Sequence, residues 1–177
     1  MADMADSSVA FGSVPTELGD VLAAVTDDGL VATAFTDSPH IRAAISARLG
    51  LTEADSPSAA AGILGQLREY FGGRRQVFEL DVDWRLMSAA QRRVLRTLYE
   101  TVPYGKVVTY GELASRSGSG VPPRGIGSIM GSNPIPIVVP CHRVVAGDGL
   151  GGFSGGTGVE SKRRLLTLEG YLPPGLW

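Results

Sequence analysis

Asn133-Pro134-Ile135-Pro136-Ile137-Val138-Val139-Pro140-Cys141-His142-Arg143-Val144 is an apolar, proline-stiffened run that ends on a cysteine beside a histidine. Cys141 is the only cysteine among 177 residues, and His142 is one of two histidines. A lone cysteine is most often a small buried hydrophobe whose thiol, with a pKa of about 8.5, stays unreactive. An adjacent imidazole offers another reading, because a base that takes the thiol proton creates the nucleophilic thiolate. Such a base needs an orienting group, and Glu169 is the candidate. It closes an expected last helix, Ser161 to Leu168, where the helix dipole disfavours a carboxylate that lacks a local partner. The plainer alternative is a solvated helix end.

Working outward, the segments on either side of this run look helical. Ser88 is a candidate N-cap, followed by Val94, Leu95, Leu98 and Val102 at helical spacing until Pro103-Tyr104-Gly105 stops the helix. Thr109-Tyr110-Gly111-Glu112 reads as a capping box for a short helix running to about Ser117. After a loop rich in Gly, Ser and Pro, Pro122-Pro123-Arg124 starts another short helix. It carries Ile126, Ile129 and Met130 on one face, and Gly131-Ser132-Asn133-Pro134 ends it. Two short helices joined by a turn, the second with an arginine at its head, suggest a helix-turn-helix; a simple packed hairpin has the same pattern.

The first half reads differently. Val21 to Phe35 holds two apolar runs around Asp27-Asp28-Gly29, a hairpin signal. Ile41 to Leu51 and Ala59 to Phe71 suggest helices, the second ended by Gly72-Gly73, and Ala54 to Ala61 reads as a loop. Phe78, Leu80 and Val82 alternate with charged residues like a half-buried strand. The expected architecture is an α+β N-terminal lobe over residues 1–87, followed by a mostly α-helical C-terminal domain over residues 88–177 with a helix-turn-helix and the cysteine site.

Composition narrows the function classes. At 44% hydrophobic and 19% charged, the chain is globular. The stretch from Met1 to Val9 has no basic patch or apolar run of signal-peptide length, and nothing reaches the roughly 18 continuous apolar residues of a membrane span. With one cysteine and two histidines, a Cys- or His-rich zinc cage cannot be built, so neither metal nor cofactor is expected, and a reducing cytoplasm suits the chain. Net charge is −2, but it is split as −7 up to Ala90 and +5 from Gln91 onward, so only the second half is suited to a polyanion.

The run from Asn133 to Val144 resembles the active-site signature of the O6-alkylguanine-DNA alkyltransferases, the methylated-DNA-protein-cysteine S-methyltransferases. Pro103-Tyr104-Gly105, Thr109 to Ala114, Arg124 with Gly127, Ser154-Gly155-Gly156, Leu165-Leu166 and Glu169-Gly170 extend the likeness across residues 88–172. The resemblance implies a single-turnover enzyme that flips O6-alkylguanine, and also O4-alkylthymine, out of duplex DNA and keeps the alkyl group on Cys141. His142 would take the thiol proton through an ordered water, held by Glu169, as in hydrolase triads. Asn133 would brace the turn before the active-site run. Tyr110 would favour extrusion and give a proton to the departing guanine, and Arg124 would fill the vacated stack. Met130, Val144, Phe153 and Ser154 would form the base pocket. The carbonyls of Cys141 and Val144 would accept from the guanine amine, and the Ser154 amide would meet the alkylated oxygen. Family members place the second helix in the minor groove, and the small residues Gly125, Gly127 and Ser128 suit that placement, although they equally suit close helix packing.

Double-stranded DNA is the implied partner, bound by a monomer that can act cooperatively, with no membrane involved. The chain departs from the family pattern at several points. Its Val145 to Phe153 loop is about one residue short, Phe153 replaces a usual tyrosine, and about two residues are added around Thr157 to Ser161. Met87 to Gln91 also lacks the usual Gly-Thr-x-Phe-Gln. Three rivals are a non-reacting lesion-binding module, in which the cysteine would be replaced, a Cys-His-Glu hydrolase, which lacks an obvious leaving-group acid, and a structural domain with an inert thiol.

Overall fold

The computed structural model describes residues 8–55 and 57–174. They form a mixed α/β protein with a four-stranded sheet, a two-stranded sheet and six α-helices among the described residues. Two compact units divide between Leu86 and Met87. The stretch before Ser8, read above for export signals, lies outside the described residues.

In the first unit, β1 (Ser8–Thr16), β2 (Gly19–Thr26) and β3 (Gly29–Ala34) form an antiparallel meander, and β4 (Thr52–Glu53) adds in parallel to β1. The β2–β3 hairpin turns at Asp27-Asp28 as expected from sequence, and Gly29 sits at φ 127°. A Cβ there would lie 2.3 Å from the Asp81 carbonyl oxygen, so glycine is required on two counts. The strands show little in–out alternation because helices cover both faces. Ile45 of α1 (Pro39–Leu49) shares a core with Val9, Phe11, Leu22 and Ala24. Leu64 of α2 (Ala61–Phe71) fits the space left by Gly12 on the opposite face, where a Cβ would come within 2.6 Å of it.

Two expectations are corrected here. The Ala54 to Ala61 stretch is not all loop, since Pro57–Ala60 form a 3-10 turn leading into α2. Residues 78–82 do not form a strand, and only a single bridge joins Val82 to Leu30. The side-chain amide of Gln66 occupies the position of a strand partner, donating to the Glu79 carbonyl and accepting from the Glu79 N–H, both at 2.8 Å.

In the second unit, α3 (Ala89–Thr101), α4 (Tyr110–Ser117) and α5 (Pro123–Gly131) pack on one another through Val94, Leu95, Leu98, Leu113, Ile126 and Ile129. Capping boxes start two of them, Ser88 with Gln91 and Thr109 with Glu112. The short strand β5 (Val108–Thr109) pairs in parallel with β6 (Val144–Val145), which sets Tyr110 beside the segment that follows Cys141. The last helix, α6 (Val159–Leu168), turns Ser161, Lys162, Leu165 and Leu166 inward against the 3-10 turn Cys141–Arg143. None of the described helices is long and apolar enough to cross a membrane.

Candidate active site

Between α5 and the 3-10 turn the chain runs through Asn133 to Pro140 in a tightly held irregular path. The Asn133 side chain donates to the Val139 carbonyl at 2.9 Å and accepts from the Ile135 N–H at 2.9 Å, bracing the run at both ends. The Cys141 N–H donates to the same Val139 carbonyl at 2.8 Å across Pro140, whose φ and ψ of −83° and 66° make an inverse γ-turn. Ile137 sits at φ 76°, the only described non-glycine residue at positive φ. For a β-branched residue this stores about 1–3 kcal/mol of strain, and the surrounding hydrogen bonds and burial must offset it.

This segment delivers Cys141 to a pocket of about 450 Å³ lined by Tyr110, Gly127, Met130, Gly131, Cys141, Gly152, Phe153 and Ser154. Burial pushes the Cys141 thiol up, against a hydrogen bond from the Asn133 side chain and the positive charge of Lys162. The thiol therefore rests protonated and needs a base at the moment of reaction.

His142 is fully buried, and its Nε2 lies 2.8 Å from Glu169 Oε2. A carboxylate can only accept there, so the proton sits on Nε2 and the lone pair on Nδ1. Nδ1 is buried with no hydrogen-bond partner among the described residues. Burial lowers the His142 pKa despite the pull of Glu169, keeping the imidazole neutral and its Nδ1 free to accept a proton.

Glu169 is not a solvated helix end. It is buried, and Arg143 grips it with Nε to Oε1 at 2.8 Å and Nη2 to Oε2 at 2.9 Å. Nη1 of Arg143 also donates to the Val102 carbonyl at the end of α3, at 2.8 Å. Burial would raise the Glu169 carboxyl, but the hydrogen bonds from His142 and Arg143 and the Arg143 charge together hold it well below the usual carboxylate range. Thr157 to Ser161 form a turn in which the Thr157 N–H donates to Ser161 Oγ and the Gly158 N–H to the Gly155 carbonyl.

The other expected residues fall as follows. Tyr110 heads α4 at the pocket, and burial followed by the neighbouring Cys141 raises its phenol, keeping it a proton donor. Arg124 is exposed at the start of α5 without a side-chain partner among the described residues. Ser128 is exposed, and Gly127 lines the pocket. Gly125 has a packing role, because a Cβ there would lie 2.6 Å from Val121 Cγ1. Ser154 Oγ donates to the Gly131 carbonyl at 3.1 Å. The Val144 side chain is buried, and its carbonyl accepts from Lys162 at 2.6 Å, which takes up one of its two lone pairs.

Sequence reasoning missed Lys162 and assigned no role to Arg143. A signal was present for the lysine: 162, 165, 166 and 169 follow one helical stripe, and two charged residues lie on it among leucines.

Residues 89–171 match the family model for the DNA-binding domain of 6-O-methylguanine DNA methyltransferases. The chain is 46% identical over 123 residues to the methylated-DNA–protein-cysteine methyltransferase of Mycolicibacterium paratuberculosis, covering 69% of this chain and 71% of that one. It is 47% identical over 107 residues to the protein of that name from Methanopyrus kandleri, covering 60% and 78%. The fold matches the crystal structure of Mycobacterium tuberculosis O6-methylguanine methyltransferase with a TM-score of 0.73 and 34% identity over 95% of this chain and 97% of that one. Mycobacterium tuberculosis OGT in complex with DNA gives 0.75 and 33%, covering 94% and 96%.

Proposed function

This chain belongs to the methylated-DNA–protein-cysteine methyltransferase family, and we propose that it repairs DNA by moving the alkyl group of O6-alkylguanine onto Cys141, once per molecule. The observation that carries the reading is the pairing of the pocket-lining Cys141 with a buried, neutral His142 whose free nitrogen is fixed by Glu169.

The Cys141 proton passes through a water to Nδ1 of His142, and the developing imidazolium is stabilised by Glu169. A sulfur lone pair then forms the bond to the alkyl carbon as the carbon–O6 bond breaks. That electron pair stays with the guanine, which takes a proton from the Tyr110 hydroxyl, and Tyr110 is recharged from His142. The products are a neutral thioether and an intact guanine, and no step regenerates the thiol. O4-alkylthymine presents the same type of alkyl–oxygen bond and is the second expected substrate.

Reaching the sulfur requires the base to leave the helix. In this reading α4 and α5 act as a helix-turn-helix within a DNA-binding domain spanning 88–177, and residues 1–87 form a separate variable domain. The slim face of α5, with Gly127 and Ser128, enters the minor groove while Arg124 takes the place of the extruded base. The protein works as a cytoplasmic monomer without a cofactor, and it can bind DNA cooperatively. Incubation with duplex DNA containing O6-methylguanine should add the mass of one methyl group, mapped to Cys141. An unchanged intact mass would overturn the proposal, and free product released over many turnovers would replace it with a hydrolase.

A further inference from the structure

The Pro103-Tyr104-Gly105 motif, read from sequence as the stop of α3, reaches the buried carboxylate at the end of α6. The Lys106 N–H donates to the Pro103 carbonyl at 3.1 Å, closing a tight turn. From that turn the Tyr104 hydroxyl donates to the Leu168 carbonyl at 3.0 Å, 64 residues along the chain. The Val102 carbonyl accepts from Arg143 Nη1 at 2.8 Å, and Cζ of Arg143 lies 6.0 Å from the centroid of the Tyr104 ring. Gly105, at φ 78°, passes so near the end of α6 that a Cβ would lie 3.2 Å from the Glu169 carbonyl oxygen.

The last carbonyls of a helix lack ordinary intrahelical partners. At the end of α6 those of Leu166 and Thr167 accept from the Tyr171 and Gly170 N–H groups, both at 2.9 Å. The carbonyl of Leu168, the residue before Glu169, accepts instead from the side chain of Tyr104. We propose that Tyr104 is a positioning residue for alkyl transfer: by holding the Leu168 carbonyl and flanking the Arg143 guanidinium, it fixes the Glu169 carboxylate in the bond that keeps His142 a base. The proposal rests on the alkyl-transfer reading, but its direct readout needs no transfer.

Glu169 is the C-cap of α6, and helix ends fray unless something holds them. Its carboxylate must meet His142 and Arg143 together, and such constellations work only when kept within about 0.5 Å of their productive geometry. Arg143 can fix the carboxylate only as far as Arg143 is itself fixed. Its further anchors, the Val102 carbonyl and the Tyr104 ring, both come from the turn after α3. Burial raises the Tyr104 phenol, and the Glu169 charge acts in the same direction, so its hydroxyl stays a donor at neutral pH. The charged and titratable groups set around His142 and Glu169 are Arg143 beside both, Lys162 of α6 toward the imidazole and Tyr104 toward the carboxylate.

His142 can be followed by NMR, because the second histidine of the chain, His40, is exposed. In the wild type the Nε2–H of His142, bonded to a carboxylate, should give a downfield proton resonance that exchanges slowly with water. Tyr104→Phe keeps the ring and loses the hydroxyl, and in it that resonance should move upfield and exchange faster. Reaction of this variant with the free base O6-benzylguanine should slow by about fivefold at neutral pH, as expected for the loss of one ordinary hydrogen bond. The deficit should shrink as rising pH ionises the thiol without help from His142. A purely structural role would lower the unfolding midpoint and leave both the resonance of the folded protein and the shape of the pH profile as they are. Gly105→Ala presses on the Glu169 carbonyl from the same turn and should reproduce both changes, so it serves if Tyr104→Phe does not fold. An unmoved Nε2–H resonance and an unaltered pH profile in either folded variant would overturn the proposal. Failure of the wild type to take a methyl group from DNA, with the resonance shift present in the variants, would instead count against the proposed function.

Discussion

Among the described residues each unit buries one acidic side chain, Asp83 in the first and Glu169 in the second, and the two are built to different ends. Asp83 accepts from Thr26 Oγ1 at 2.5 Å and from the Arg85 N–H at 3.1 Å, and it pairs with Arg85 Nε at 2.7 Å. Arg85 also reaches Asp28, so this network ties the β2–β3 hairpin to the 81–85 segment. Glu169 is gripped as firmly by Arg143, but its other neighbour, His142, has a ring nitrogen without a partner, and a buried ammonium without a carboxylate lies close by. A closed polar network holds an architecture together. One with an open nitrogen and an unanswered charge is held ready for a proton and an anion.

Exchanging each carboxylate for its amide should separate the two roles, with the largest effect expected at Glu169. Glu169→Gln removes the tautomer lock on His142 and leaves Arg143 buried without a counter-charge. Methyl transfer should fall by about 10²–10⁴-fold, and stability by about 3–5 kcal/mol. Asp83→Asn should lower stability by about 1–3 kcal/mol and leave the transfer rate of the folded protein unchanged. Single-turnover kinetics alongside urea unfolding check both, and a matching loss of transfer in Asp83→Asn would end the distinction.

Acid should also act unevenly on the two regions. The folded pKa of His142 lies below its ordinary 6.5, so the stability from keeping it neutral is present above that value and is lost as pH falls from there through the folded value. Glu169 is depressed below 4.5 and adds a further loss at lower pH. In the first unit Asp37, depressed chiefly by its hydrogen bond from Arg42, begins to cost stability only below its ordinary 3.8. Amide exchange measured between pH 7 and 4.5 should therefore show α6 and the 141–145 segment losing protection before β1–β3. The reverse order would contradict this account of the buried groups.

What the sequence made legible was mostly local. The Thr109 capping box, the Asp27-Asp28-Gly29 turn and the start and stop of α5 depend on neighbours a few residues away. β1 was not among the expected elements, and its Gly12 is what admits Leu64 of α2, a contact that local pattern does not reveal. The 78–82 strand was over-read because a side chain from α2 takes the bonds that a neighbouring strand would take. At the site, Cys141 and His142 stand adjacent in sequence, yet the imidazole turns to a residue 27 positions away, and the thiol turns to Asn133. The spacing on α6 that places Lys162 inside was visible, but the carbonyls it meets were not.

A surface comparison gives a smaller expected effect. Arg42, Arg75 and Arg85 of the first unit all have carboxylate partners, while Arg124 at the head of α5 has none among the described residues. Arg124→Ala should lower transfer from duplex DNA by about tenfold, or about 1.4 kcal/mol, which is part of the few kcal/mol that unstacking costs. Reaction with free O6-benzylguanine should not change, and equal losses on both substrates would remove Arg124 from base extrusion.

The smallest effect is expected where a structural contact borders the site. Gln91 completes the capping box of α3 through the Ser88 N–H at 2.8 Å, and its Nε2 donates to Ser132 Oγ at 2.9 Å, one residue before Asn133. Gln91→Ala should cost about 1 kcal/mol through the lost cap. Transfer should change little, because Asn133 is held by its own bonds to Ile135 and Val139 rather than through Ser132. A clear drop in transfer at unchanged stability would mean that the brace on the active-site run extends back to α3, and that this helix belongs with the open network rather than with the architecture around it.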